Sequence, residues 1–162
     1  MQNGNVAREF VRHTLATLAY RAAKAVRGAP AEFVNLKIGT GTRTPAAIVV
    51  HIGDLMEWAL TMAQGQTQWR DGPVQSWDAD LKRLFAGIRA LDDYLAGSAP
   101  VDLRILHQLF QGPIADALTH TGQLTMLRRL AGSPIRGESY QRALIAVGQI
   151  GLDQPPPQRE FD

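Results

Sequence analysis

A chain of 162 residues that is 45% apolar and 20% charged has the size and composition of one globular domain with a substantial core. The net charge of +2 and pI near 9.3 come from dispersed arginines, and no basic arm or aromatic-interleaved basic strip marks a nucleic-acid binder. Cysteine is absent, no window approaches the roughly 18 apolar residues of a membrane span, and the N-terminus lacks signal-peptide order; together these point to a cytoplasmic protein without a membrane or nucleic-acid partner.

The first predicted helix covers residues 5–26, with Phe10, Leu15, Leu18 and Ala22 at apolar positions and Gly28 and Pro30 ending it. His13 has no companion ligand at helical spacing and reads as solvent-facing. Residues 28–44 form a long connection with two Gly-Thr pairs. G-T-G-T lacks the strand and helix context of a phosphate loop and reads as a turn. Thr44-Pro45 caps and opens the second helix, predicted over 45–64. This helix is apolar around most of its circumference, which requires neighbours on several sides.

His51 stands inside that apolar surface. Leaving a buried polar group unpaired costs on the order of 1–3 kcal/mol. Two arrangements avoid the cost: a hydrogen-bonded core histidine, or an imidazole that binds metal through one nitrogen and hydrogen-bonds through the other.

A loop over 65–75, with a turn at Asp71-Gly72-Pro73, leads to Ser76, the cap of a third helix over 76–96. Asp78 and Asp80 sit in its first turn, and Leu81, Leu84, Phe85, Ile88, Leu91 and Leu95 form its apolar face. Asp102 caps the fourth helix, predicted over 102–131, where Gly112-Pro113 must produce a kink or a break. Beyond it run an apolar stripe of Ile114, Ala117, Leu118, Leu124, Leu127 and Leu130 and a polar ridge of Asp116, His120 and Gln123. Residues four apart on a helix are offset by only about 40° and about 6 Å, so Asp116 and His120 project together. Such a pair is half of a metal site, half of an acid–base pair, or an exposed Asp–His contact. A short last helix is predicted near 138–149. The division is then a helical domain over 1–152 and a Pro-rich tail over 153–162, extended or disordered. The fold class is all-α, a four-helix bundle.

Two stretches, H-I-G-D-L-M-E-W-A at 51–59 and D-A-L-T-H-T-G-Q-L-T-M-L-R-R-L-A-G at 116–132, resemble the DinB-like (DinB/YfiT-like) superfamily of bacterial four-helix-bundle proteins. In that family a histidine on the second helix joins an H-x-x-x-H pair on the fourth to hold one divalent metal. The resemblance implies His51 and His120 as ligands, with Asp116 standing where the family has the first histidine of the pair. Gln123 and Asp54 are the nearest supporting candidates, and each taken alone reads as a surface or packing residue. Two histidines and a carboxylate still make a three-ligand site with open positions for zinc, nickel or iron. The family implies a metal-dependent enzyme, thiol transferase-like or hydrolase-like, acting on a small molecule that includes low-molecular-weight thiols. The other reading is a non-catalytic interaction or stress-related protein that keeps the fold without the chemistry. Association through helix faces into a homodimer is also expected.

Overall fold

The structure, a computed structural model, describes residues 2–162. Helix starts follow side-chain caps. α1 spans Gln2–Val26, α2 Pro45–Ala63 and α3 Trp77–Ala96. A fourth rod is composite: α4 (Leu103–Leu109), a π-helical turn (Phe110–Ile114) and α5 (Ala115–Leu130). Thr44 Oγ1 accepts from the Ala47 amide at 3.2 Å, Ser76 Oγ from Ala79 at 3.3 Å, and Asp102 Oδ1 from Arg104 at 2.7 Å. Each satisfies one of the donors a helix start leaves free.

The core lies where the four rods meet. Leu15 and Leu18 of α1, Ile48, Ile52 and Met56 of α2, and Leu84, Ile88 and Leu91 of α3 are almost wholly excluded from solvent. Leu106, Leu109, Ile114 and Leu124 complete it from the fourth rod. Burying one such side chain stabilises the fold by about 1.5–3 kcal/mol, so this cluster supplies the main driving force. Close packing of α2 on α3 needs Gly87, where an added Cβ would lie 3.0 Å from the Met56 Cβ. By length and a mean hydropathy of 1.3, α2 qualifies as a membrane span, but 67% of its apolar window is buried within the domain. Its hydrophobicity is spent on neighbouring helices.

Two expectations are corrected. Phe10 is 61% exposed and lies 6.4 Å from the Phe110 ring, outside the core. The inward line of α1 is Val11, Leu15, Leu18 and Ala22, spaced by four, three and four, whereas Phe10 is five residues from Leu15 and turns away. Gly112-Pro113 interrupts the rod as expected: α4 and α5 are separated by the π-helical turn that holds Pro113, whose wider spacing absorbs the amide that proline lacks.

The second correction concerns the short C-terminal helix over 138–149, which does not form. Gly137–Glu138 (β1) pairs antiparallel with Glu160–Phe161 (β2), and only Tyr140–Arg142 makes a 3-10 turn. Glu138 is held by Tyr20 Oη and Lys24 Nζ, each at 2.7 Å. Gly137 faces the Phe161 ring, where a Cβ would come within 2.5 Å of Cε2. These tertiary partners outweigh the weak local helix signal. The 153–162 segment returns to α1 through Glu160, whose carboxylate accepts from Lys24 Nζ at 2.8 Å.

Candidate metal centre

His51 on α2 and Asp116 and His120 on α5 converge, with one potential ligand atom from each lying within 4.8 Å of the others. The π turn contributes to this meeting. One extra residue per turn rotates everything after it by about 100° relative to α4, which brings the Asp116–His120 ridge onto the face toward α2. Among the described residues this is the one cluster of three His, Asp or Glu side chains with ligand spacing.

The distances carry chemical content. His51 Nε2 lies 3.4 Å from Asp116 Oδ2, and His120 Nε2 lies 3.5 Å from Asp116 Oδ1. Both exceed the usual 2.7–3.2 Å of an N–H···O hydrogen bond. Donors bound at about 2.1 Å to a tetrahedral ion are about 3.4 Å apart, so the same gaps suit a shared cation. The imidazole planes stand at 87° with centroids 4.7 Å apart, edge toward face. His120 is buried, while the Asp116 side chain is 46% exposed and keeps the cluster open to solvent.

Tautomer and charge state favour ligation. His120 Nδ1 lies 2.8 Å from Gln123 Oε1. With the amide oxygen accepting, the proton sits on Nδ1 and the Nε2 lone pair faces Asp116 and Arg43. Burial lowers the pKa of His51 below the ordinary histidine value; the charges of Arg43 and His120 lower it further, against an opposing pull from Asp116. His51 is therefore neutral at pH 7 and has a lone pair to give.

Two side chains at the site are not marked by any motif. Trp69 comes from the loop after α2 and sets its ring edge to His51 at 5.7 Å and to Trp58 at 5.7 Å. The loop is tied down by Thr61 Oγ1, which accepts from the Gln68 amide at 3.0 Å. Arg43 directly precedes the Thr44 cap, and its Nη1 lies 3.4 Å from His120 Nε2. The Gly-Thr turn aims it: Thr42 Oγ1 donates to the Gly39 carbonyl at 2.8 Å, and Gly41 adopts φ 79°. A non-glycine residue is strained at that φ. An arginine at the entry of the helix that carries His51 was the available signal.

Asp54 is not a supporting residue of the cluster. It accepts from Arg83 Nη2 at 2.6 Å and from the Gly72 amide at 3.1 Å, fastening α2 to α3 and the intervening loop. His13 and His107 are exposed and lie apart from the cluster, as their sequence context suggested. Comparison with protein families, curated proteins and solved structures yields no match.

Proposed function

We propose that this chain is a DinB-like four-helix-bundle protein that holds one divalent ion on His51, Asp116 and His120. On this reading it is a metal-dependent enzyme, thiol transferase-like or hydrolase-like, acting on a small molecule. The observation that supports it is the convergence of two imidazoles and one carboxylate from α2 and α5, with one potential ligand atom of each within 4.8 Å of the others. Zinc, nickel and iron(II) all accept a two-histidine, one-carboxylate set with open positions.

Bound there, the ion would supply the charge that lowers the pKa of a neighbouring water or thiol. The chain's own residues do the rest. Gln123 holds His120 in one tautomer. The Trp69 edge and burial limit water around His51. Asp116 offsets part of the added positive charge and leaves a weaker Lewis acid than three histidines would.

Arg43 favours the second reading, a non-catalytic protein that keeps the fold. Its guanidinium stands 3.4 Å from the very nitrogen that would bind metal. It is exposed, however, and can withdraw into solvent when a cation enters. Elemental analysis of protein purified without a histidine tag separates the two. Near-stoichiometric metal is expected; protein that stays metal-free after incubation with zinc, nickel and iron(II) overturns the enzyme reading.

A further inference from the structure

A groove of about 470 Å³ opens beside His120, and its chemistry changes along its length. At one end stand Arg43 and His120; the rest is walled by Ile38, Ile48, Met126, Leu127 and Leu130. The wall follows from helix geometry. His120, Gln123, Leu127 and Leu130 advance by three, four and three residues, so the polar ridge of α5 becomes an apolar one toward its C-terminus. Ile38, Met126 and Leu130 remain 48%, 58% and 58% exposed, although no other segment of the described chain covers them.

Arg43 is the polar end of this groove. Its guanidinium makes no ion pair among the described residues, and its one side-chain partner is the neutral-capable His120 ring at 3.4 Å. Arg43 and Asp116 cancel in charge, so a divalent ion on the cluster would leave the site net positive. A cation at one end and a long apolar wall at the other complement an amphiphile with an anionic head.

We propose that this groove binds an alkyl carboxylate, its head on Arg43 and its chain along Ile38, Ile48, Met126, Leu127 and Leu130. This names the substrate class of the same site and rests on the metal reading for its chemistry, though not for its binding. A chain on the order of eight to ten carbons fits within a groove of this volume. The head lies beside His120, so the carboxyl end is the part presented to the metal cluster.

The test is calorimetric titration of decanoate into metal-stripped and metal-loaded protein, with metal per chain measured in parallel. Saturable binding of one decanoate per chain is expected, at least about tenfold tighter than decyltrimethylammonium and far tighter than acetate, because both charge and chain contribute. Arg43→Gln should weaken decanoate about tenfold without lowering the metal bound per chain. Met126→Asp, at an exposed position that folding does not depend on, should weaken it at least as much. Absence of saturable binding in both forms, equal affinity for the cationic amphiphile, or full affinity in Arg43→Gln overturns the proposal. Arg43-dependent binding to protein that takes up no metal upholds the groove and removes the enzyme reading. Stoichiometric metal without decanoate binding does the reverse.

Discussion

Gln123 Oε1 and His120 Nδ1 lie 2.8 Å apart, one helical turn from each other on α5. The contact fixes the imidazole on the far side from the nitrogen that faces Asp116 and Arg43. Supporting acceptors of this kind hold a ligand's ring and raise its basicity, and removing one costs about 10–100-fold in metal affinity. Gln123→Leu is therefore expected to weaken metal binding within that range, and Gln123→Glu to retain it. Competition with a chelator of known affinity reads both. Unchanged affinity in Gln123→Leu would show that the amide does not orient a ligand.

The ligand set itself is tested through its odd member. His51→Ala and Asp116→Ala each remove one of three ligands and should lose bound metal, by more than the roughly 100-fold upper limit for a supporting residue. Asp116→His replaces the carboxylate with imidazole one turn before His120, so metal should remain, with preference moving toward zinc or nickel. His107→Ala should change nothing, since His107 is exposed on α4, before the π turn. Metal per chain is the readout. If His51→Ala binds as much as the parent protein, His51 is an ordinary core histidine.

Periodicity and capping made the helices legible. Thr44, Ser76 and Asp102 cap where their side chains and the following residues dictate. Spacing showed that Asp116 and His120 project together and that His51 interrupts an apolar face; joining the three in one site came from the family resemblance. Asp54 is the packing residue that it reads as when taken alone. It lies three residues after His51, but Arg83 on α3 captures its carboxylate, and nothing local to α2 records that partner. Arg43 and Trp69 belong to loops, where position comes from turn hydrogen bonds rather than periodicity. Glu138 and Glu160 are brought together on Lys24 across more than a hundred residues, so the short strands and the missing C-terminal helix left no sequence pattern.

Self-association is expected, though not from α2, whose apolar circumference is consumed by the core. Val6 and Phe10 of α1, Leu103 of α4 and Phe110 of the π turn are exposed apolar residues, with Phe10 and Phe110 in ring contact. A patch of this kind on otherwise polar helices favours a homodimer. Sedimentation at micromolar concentration should show a species of twice the 17.7 kDa chain mass, dissociating on dilution. Phe10→Glu should shift the equilibrium toward the monomer. A single 17.7 kDa species at all concentrations rejects the expectation.

The last prediction concerns the fastening of the C-terminal tail. Lys24 Nζ bridges Glu138 at 2.7 Å and Glu160 at 2.8 Å, and Glu138 also accepts from Tyr20 Oη at 2.7 Å. Lys24 and Glu138 are buried, so removing the lysine strands a carboxylate away from water. Lys24→Ala should then cost about 3 kcal/mol, or roughly 6–12 °C in Tm. The pH dependence has two limbs. Hydrogen bonding to Lys24, against a smaller desolvation effect, lowers the Glu160 pKa below its ordinary 4.5. Its contribution is thus complete above pH 4.5 and lost as pH falls through the lowered value. Burial works against the charged form of Lys24, but its bonds to Glu138 and Glu160 prevail and raise its pKa above 10.5. Burial and Glu138 raise that of Tyr20 above 10.0. Those contributions are complete below pH 10 and decline as pH rises further. Thermal melts from pH 3 to 11 should show a plateau bounded by these limbs. Glu160→Gln should melt below the parent protein on the plateau and converge with it toward pH 3, because the lost contribution is the one that acid removes. A constant offset between the two proteins down to pH 3 would show that Glu160 acts through packing rather than through its charge.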